Sequence, residues 1–392
     1  MKKQRNIPKL RFPEFKGEWK KRKLGELSII NPTTGKLPEK FIYIDLESVI
    51  NGDLTKEVLI DKNAAPSRAQ RVLEKDDILF QMVRPYQKNN LYFDKSGDYV
   101  ASTGYAQIKT KQNSRFIYQY LHLQKFVDEV IERCTGTSYP AINSKDLAKI
   151  SIRYPSLPEQ KKIASFFTAI DQKISQLKSK KTLLEQYKKG VMQKIFSQEI
   201  RFKDDNGQEF PKWEKMTGDA LFKTVSNKNH NSDLPILAIT QEHGAVPRDM
   251  IDYYITVSEQ SIEGYKVVEK GDFIISLRSF QGGIEYSEYK GICSPAYIIL
   301  RATQKIDHRY FKYYFKTEDY ITNLNRKLEG IRDGKMISFK YFSEIKINVP
   351  SLPEQAKIAN FLSAIDVKIN HTQKQIEKAE VWKKGLMQQM FV

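Results

Sequence analysis

Two long stretches of the chain carry apolar residues that alternate four and three positions apart, which is the spacing of a coiled-coil seam. In the second stretch the apolar or small positions of the seam are Ile358, Leu362, Ile365, Ile369, Thr372, Ile376 and Ala379. In the first stretch they are Ile163, Phe167, Ile170, Ile174 and Leu177 and, after an interruption at Lys181, Leu184, Val191 and Ile195. The pattern predicts two long amphipathic helices.

Each predicted helix is long enough to need a partner along its apolar face. About 40 residues at a rise of about 1.5 Å per residue make a rod of roughly 60 Å, which is longer than one small domain can cover. We therefore expect the two helices to pair with each other. The alternative is that each helix packs only on its own domain.

The two helical stretches belong to an internal repeat. The letters Pro-Ser-Leu-Pro-Glu-Gln occur at 155–160 and return at 350–355. Over the 42 positions that begin at each copy, 22 are identical at a constant offset of 195 residues. A gap-free match of this length indicates a tandem duplication.

The repeated letters also predict where each helix begins. Ser156 with Glu159, and Ser351 with Glu354, fit a capping box, in which a hydroxyl and a carboxylate satisfy unpaired backbone N–H groups of the first turn. The proline between them lies in that first turn, where its missing N–H costs nothing.

Ahead of each helix, short β-branched and aromatic runs are broken by Gly, Pro, Asn and Asp, a pattern typical of irregular, mostly β domains. The predicted strands lie at 41–44, 58–60, 77–80 and 150–152 in the first half, and at 234–239, 265–268, 272–277 and 345–347 in the second. Aromatic segments predicted as helices begin at Arg115 and Arg309. Glycine turns are expected around Gly136 and from Gly330 to Gly334.

These patterns predict an α+β chain with two similar mixed, mostly β domains in tandem, separated by two long helices and related by a pseudo-two-fold axis. A length of 392 residues is sufficient for this arrangement. The predicted boundaries are 1–154 for the first domain, 155–199 for the first helix, 200–349 for the second domain and 350–392 for the second helix.

Charge narrows the choice of partner. The chain has 65 Lys and Arg against 47 Asp and Glu, a formal charge of +18 and a pI near 9.5. This balance favours a polyanion, nucleic acid above all. The start lacks an apolar signal region and no apolar run is long enough to span a membrane, so we expect a cytoplasmic protein without membrane contact. Cys134 and Cys293 are expected to be structural thiols, and the histidines show no metal-ligand spacing.

The whole 392-residue arrangement resembles the specificity subunit of type I restriction-modification systems. The resemblance rests on the two Pro-Ser-Leu-Pro-Glu-Gln-x-Lys-Ile-Ala motifs, each preceded by a variable β domain. It implies two target recognition domains, each of which reads one half of a split DNA sequence, and antiparallel helices that act as a spacer. It also implies a subunit that is not catalytic.

The resemblance further implies the partners of the chain. They are double-stranded DNA, two methyltransferase (M) subunits that hold S-adenosylmethionine, and restriction or motor (R) subunits that use ATP and magnesium. No cofactor is expected in this chain. On charge alone, a highly acidic DNA-mimicking inhibitor is a possible further partner.

Residues that read bases are expected to be polar or guanidinium groups on loops that the β scaffold holds. In the first domain we predict Arg84, Tyr86, Gln87, Lys88, Asn89, Asn90, Thr135, Thr137, Ser138 and Tyr139. In the second we predict Arg278, Ser279, Gln281, Ser294, Tyr297, Arg332 and Lys335. The matching positions of Arg84 and Arg278 leave open a shared scaffold or phosphate role.

Two alternatives remain at this level. The first is a single-chain nuclease or methyltransferase, but the phosphate-binding glycine motifs are absent and Asp333 with Glu344 and Lys346 only loosely imitates a nuclease cluster. The second is a basic coiled-coil adaptor that binds nucleic acid through its helices. Methyl transfer to DNA by the purified chain with S-adenosylmethionine and no second protein would support the first alternative, and exchange of residues 1–154 would test the second.

Overall fold

The computed structural model describes residues 6–33, 35–230, 233–251, 262–326 and 337–392. The chain forms two compact units. Unit 1 comprises Met1–Ser179 and Gln373–Val392, and unit 2 comprises Lys180–Thr372. Each long helix is divided between the two units. The domain boundaries predicted above follow the sequence repeat instead, and they stay predictions.

Unit 1 is built from short strands and helices that end in the first long helix. Its strands are β1 (Lys20–Lys23), β2 (Ser28–Ile30), β3 (Lys40–Ile44), β4 (Val49–Ile50), β5 (Asp53–Leu54), β6 (Leu59–Asp61), β7 (Ala69–Val72), β8 (Ile78–Gln81), β9 (Leu91–Tyr92), β10 (Tyr99–Ser102), β11 (Tyr105–Thr110) and β12 (Ser151–Tyr154). Its helices are α1 (Leu24–Leu27), α2 (Ser114–Leu121), α3 (Gln124–Ile131), α4 (Ser144–Lys149) and the first part of α5 (Leu157–Phe196).

Two four-stranded sheets make the frame of unit 1. One has the order β2-β11-β8-β9 and is antiparallel, and the other has the order β6-β3-β10-β7 with β10 parallel to β3. Strands β8 and β10 are buried along their whole length because both of their faces are covered. The strand pair β1-β12 leads directly into α5.

Unit 2 repeats part of this frame. Its described strands are β13 (Glu214–Thr217), β14 (Phe222–Val225), β15 (Leu237–Thr240), β16 (Gly244–Pro247), β17 (Lys266–Val268), β18 (Phe273–Ile275), β19 (Glu285–Tyr286), β20 (Gly291–Cys293), β21 (Ile298–Ala302) and β22 (Lys346–Val349). Its described helices are α6 (Gly218–Leu221), α7 (Ser279–Gly282), α8 (His308–Tyr314), α9 (Glu318–Arg326), α10 (Phe339–Glu344) and the first part of α11 (Leu352–Met390).

The strand orders show which part of the frame is shared. The antiparallel sheet β14-β21-β18-β19 has the same order as β2-β11-β8-β9, and β13-β22 matches β1-β12. Each strand predicted from the sequence overlaps a strand of the structure, and both aromatic segments are helical. The second predicted glycine turn, Gly330 to Gly334, lies outside the described residues.

The predicted seams of the long helices are buried. Helix α5 has 40 residues and α11 has 39. Ten of the residues that the sequence assigned to the seams are each less than 10% exposed: Ile163, Phe167, Ile170, Ile174, Leu177, Ile358, Leu362, Ile365, Ile369 and Ile376. Leu184, Val191 and Ala379, which were also assigned to the seams, are partly exposed. Thr372 stays in the seam at 1% exposure because its hydroxyl donates to the carbonyl of Lys368 within the helix.

The predicted capping boxes are wrong. The carboxylates of Glu159 and Glu354 do not turn back to the helix start, because each forms an ion pair with an arginine far away in sequence. The Ser351 hydroxyl is buried and has no hydrogen-bond partner. A local motif was predicted where the structure makes a long-range contact.

Candidate nucleic-acid interface

Each glutamate of the repeated motif ties its helix to the lead-in segment of the same unit. In unit 1, Arg11 donates to both carboxylate oxygens of Glu159 at 2.7 Å, and the Trp19 indole N–H donates to Oε1 at 3.3 Å. In unit 2, Arg201 donates to Glu354 at 3.1 and 2.8 Å. Both carboxylates are buried, so these bidentate pairs hold the helix starts firmly.

The glutamine that follows each glutamate holds a second element. The Gln160 side chain accepts from the backbone N–H of Asn113 at 3.1 Å, and the Gln355 side chain accepts from that of Asp307 at 2.9 Å. Asn113 and Asp307 are the N-caps of the aromatic helices α2 and α8. The motif therefore joins a long helix to an aromatic helix in each unit.

A third repeated contact pairs the two long helices within each unit. In unit 1, Lys383 of α11 donates to Asp171 of α5 at 2.6 Å. In unit 2, Lys188 of α5 lies 2.6 Å from Asp366 of α11. Residues near the end of one helix meet residues near the start of the other, so the helix segments are antiparallel in each unit.

The loop that follows β8 in the first domain carries exposed side chains. Arg84 and Lys88 flank a single 3-10 turn, Pro85–Gln87. A β-bridge between Val83 and Ala141 brings the predicted Gly136 turn against this loop. The Arg84 guanidinium lies over the Tyr139 ring at 4.2 Å, a cation–π contact. The structure thus brings together both groups of base readers predicted in the first domain.

The side chains of this surface differ in exposure. Tyr86 is 50% and Tyr139 is 64% exposed, and Thr135, Thr137, Ser138 and Gln87 are also exposed. Lys88 is half-buried, and burial lowers the pKa of its ammonium group. Its Nζ donates to Gln124 at 2.9 Å.

Two predicted base readers lie inside their domains. Asn90 is 1% exposed and its side-chain oxygen accepts from the backbone N–H of Gln81 at 2.9 Å. Ser279 is also 1% exposed, and its hydroxyl accepts from the backbone N–H of Ser276 at 2.8 Å. Neither side chain reaches a base edge in this conformation, because both are occupied in shaping a loop. Asn89, next in sequence, accepts from the N–H of Asn51.

In the second domain Arg278 and Gln281 are exposed on the turn that follows β18. The Ser294 hydroxyl accepts from the N–H of Ala296 at 3.3 Å, and burial raises the pKa of Tyr297, with Arg278 among the nearby charges that oppose the shift. Arg278 therefore lies close enough to Tyr297 for its charge to act on the phenol. Arg332 and Lys335 lie outside the described residues, and so does Asp333 of the nuclease-like cluster.

The matching arginines have different settings. Arg84 is in the left-handed region at φ 53° and stacks on Tyr139, whereas Arg278 has φ −111° and is exposed. Their similar positions, seven residues after Asp77 and six after Asp272, follow from the equivalent strands β8 and β18, but their surroundings differ. The roles predicted for them in DNA contact stay predictions.

The sequence matches the family described as "Type I restriction modification DNA specificity domain" over residues 16–186 and again over 213–381. The two matches together cover most of the chain. The chain belongs to this family. The resemblance stated from the motifs is confirmed, and with it the prediction of a DNA-recognition subunit that is not itself catalytic.

Relatives of the specificity subunit cover nearly its whole length. The putative type I restriction enzyme MjaX specificity subunit of Methanocaldococcus jannaschii is 25% identical over 98% of this chain and 95% of its own. The MjaVIII specificity subunit of the same organism is 24% identical over 96% and 92%. The EcoDI specificity subunit of Escherichia coli is 23% identical over 88% and 86%.

Solved structures share the fold of the specificity subunit. The type I restriction-modification S subunit from M. genitalium aligns with a TM-score of 0.59 at 16% identity, over 98% of this chain and 99% of that one. A chain from a study of complex assembly and conformational transition of the type I R-M system gives 0.56 at 20% identity, over 94% and 96%. The predicted fold class, tandem recognition domains with long helices, is confirmed.

No group of three or more His, Cys, Asp or Glu side chains in the described ranges is arranged to hold a metal ion. Within the same part of the chain, no helix is long and apolar enough to cross a membrane.

Sequence reasoning missed several residues of the interface. Arg11 and Arg201 lie in lead-in segments whose similarity was visible, but their glutamate partners lie about 150 residues away. The Asn51–Gly52 turn between β4 and β5 packs against the loop that joins β8 to β9, residues 82–90, which is the recognition loop of the first domain. Gly52 has φ 86°, and the Tyr118 hydroxyl lies where a Cβ would be. An Asn-Gly pair that follows two β-branched residues, Val49 and Ile50, is a hairpin signal and could have been recognised.

Proposed function

We propose that this specificity subunit reads a bipartite, asymmetric DNA site, with one half-site for each β domain. The observation that carries the proposal is a contrast within each unit. The joints made by Glu159, Gln160 and Asp171 recur at Glu354, Gln355 and Asp366. The exposed loops around Arg84 and Arg278 do not recur. A constant frame with unlike loops fits two half-sites of unlike sequence.

Phosphate contacts would supply the part of the affinity that does not depend on sequence. A formal charge of +18 favours release of counterions from DNA, so affinity should fall steeply as salt rises. A highly acidic DNA-mimicking inhibitor would compete for the same surface. We place the protein in the cytoplasm, where it would meet DNA.

The subunit would also assemble a complex with two copies of a methyltransferase subunit and with restriction or motor subunits. Tyr187 of α5 and Trp382 of α11 support two equivalent docking points, because they occupy the same repeat position and are 55% and 54% exposed. Exposed aromatic side chains are typical anchors of protein interfaces. S-adenosylmethionine, ATP and magnesium would be held by these partners, and no cofactor by this chain.

Exchange of the first domain tests the modular reading. Residues 1–154 are replaced with the equivalent segment of another family member, and the methylated sites are mapped by sequencing in cells that supply the methyltransferase. We expect the letters of one half-site to change while the other half-site and the gap stay constant. Change in both half-sites, or in neither, would contradict the proposal.

Insertion into the long helices tests their role as a spacer. Seven residues, two helical turns that keep the phase of the seam, are inserted after Ser179 and after Thr372 together. We expect a changed gap between unchanged half-sites, because the seam stays continuous. Insertion into α5 alone serves as the control and should abolish DNA methylation, since the paired helices would then differ in length. Altered half-site letters at a constant gap would refute the spacer role.

A further inference from the structure

The recognition loop of the first domain contains two residues in a backbone conformation that is unfavourable for residues other than glycine. Arg84 and Lys88 both lie in the left-handed region, at φ 53° and 56°, although neither is glycine. Such a conformation costs free energy and persists only where the surroundings enforce it. Strained backbone is concentrated at functional sites, so the groups that hold this loop bear directly on recognition.

Two buried amide side chains hold both ends of the loop. The N–H of Gln81 donates to the Asn90 side-chain oxygen at 2.9 Å, and the Gln81 side-chain oxygen accepts from the N–H of Asn89 at 3.1 Å. The Gln81 amide also donates to Gln87 at 2.9 Å. Gln81 is 2% and Asn90 is 1% exposed, so water cannot replace these bonds.

The amide pair is itself supported by neighbouring elements. The Asn90 Nδ2 lies 3.5 Å from Nε2 of His122, whose Nδ1 donates to the Tyr118 carbonyl at 2.8 Å. The Asn89 side chain accepts from Asn51 in the β4–β5 turn at 3.0 Å. The loop is therefore fixed from the α2 side and from the hairpin side.

The second domain shapes its equivalent loop by other means. Counted from the matching Asp77 and Asp272, Gln81 corresponds to Ser276. The registers of the strand pairs β8-β9 and β18-β19 make Leu91 equivalent to Glu285, so the residue equivalent to Asn90 in the second domain is Ile284. The chain turns there at Gly283, at φ 81°, where an added Cβ would lie 2.1 Å from the Phe315 carbonyl oxygen. The Gln81–Asn90 amide pair is therefore present in the first domain and absent from the equivalent positions of the second.

We propose that Gln81 and Asn90 are positioning residues for base recognition by the first domain. They do not touch DNA. They hold the strained loop so that Arg84, Tyr86 and their neighbours present one fixed set of donors and acceptors to the half-site. The proposal rests on the proposed function, in which the first domain reads that half-site.

The test measures discrimination and not affinity alone. Gln81→Met and Asn90→Leu remove the amides at nearly constant volume, and Gln107→Met is the matched control. Gln107 is also fully buried, on the neighbouring strand β11, and bonds to Asp77 and Val72 but not to the loop. Each variant is assembled with its methyltransferase partners, and binding is compared on duplexes with single base changes in either half-site.

We expect Gln81→Met and Asn90→Leu to lower discrimination at the first half-site by about tenfold or more. Discrimination at the second half-site should be unchanged, and Gln107→Met should keep both at a similar loss of thermal stability. Full discrimination by Asn90→Leu and Gln81→Met would overturn the inference, and so would equal loss in Gln107→Met.

Failure of the inference and failure of the proposed function are distinguishable. If exchange of residues 1–154 rewrites one half-site while both amide variants discriminate normally, only the positioning role is wrong. If the exchange rewrites neither half-site, the modular reading itself is wrong.

Discussion

The two units build the same turn before the central strand of the shared sheet, yet they complete it with different chemistry. Asp77 and Asp272 each accept a backbone N–H of that turn at 2.8 Å. A neutral amide, Gln107, donates to Asp77, whereas Arg301 forms a bidentate ion pair with Asp272. After the duplication, both units have kept a buried aspartate that needs a hydrogen-bond donor. They have not kept the same donor, because one unit uses an amide and the other a guanidinium.

The end of the aromatic helix shows the same contrast. In unit 1 a partly buried His122 contacts Asn90, and in unit 2 Lys316 donates to the buried Glu285 at 2.5 Å. Burial raises the pKa of Glu285 and lowers the pKa of Lys316. One unit therefore relies on a neutral contact and the other on a charged pair, which makes their responses to mutation and pH separable.

The largest effect on stability is expected where the long helices end. Phe391 packs against Trp19, Phe116, Tyr120 and Phe167, whereas Phe196, at the equivalent repeat position, packs against two tyrosines. Phe391→Ala should lower the free energy of unfolding of unit 1 by about 4 kcal/mol, and Phe196→Ala that of unit 2 by about 3 kcal/mol. Hydrogen exchange resolved by unit would measure both. A larger loss in unit 2 would reverse the comparison.

The charged pair of unit 2 should behave as a pair and not as two contributions. Glu285→Leu leaves the Lys316 ammonium without its counter-charge and should cost about 3 kcal/mol of unfolding free energy. Glu285→Leu with Lys316→Met removes both charges and should restore stability to within about 1 kcal/mol of the original. Urea denaturation of the single and double variants decides the matter. A double variant as unstable as the single one would show that packing, and not charge, is what matters.

The effect on stability that is smallest at neutral pH concerns His122. It distinguishes the neutral contact of unit 1 from the charged pair of unit 2. Burial lowers its pKa to about 4. In the unfolded chain the imidazole takes a proton below about pH 6.5, so stability contributed by the neutral ring is full above that pH and is lost as the pH falls toward 4. The loss should reach roughly 3 kcal/mol in unit 1.

The measurement for His122 is the unfolding free energy of unit 1 between pH 7 and 4.5, by hydrogen exchange, with His122→Gln as the control. The glutamine amide can still accept from Asn90 but does not titrate. An identical pH dependence in the two proteins would remove His122 as the cause.

Much of this architecture follows from local pattern. The seam residues, the aromatic helices and the strands could be predicted because periodicity reports which face of an element is buried. The exposed polar loops around Arg84 and Arg278 were also predicted as candidate readers, because Gly, Pro and polar residues mark the ends of strands. The capping boxes were wrong, since the same Ser and Glu letters fit a local contact and a distant one equally well.

The sequence by itself determined the duplication, the helix starts, the basic charge and the family, because each of these is written in spacing and composition. Only the tertiary structure decided which polar side chains face solvent. Asn90 and Ser279 look like base readers in the sequence and are buried, while Gln81 looks unremarkable and holds the loop. Burial and hydrogen-bond partners depend on residues brought together from distant parts of the chain, and no local pattern records that proximity.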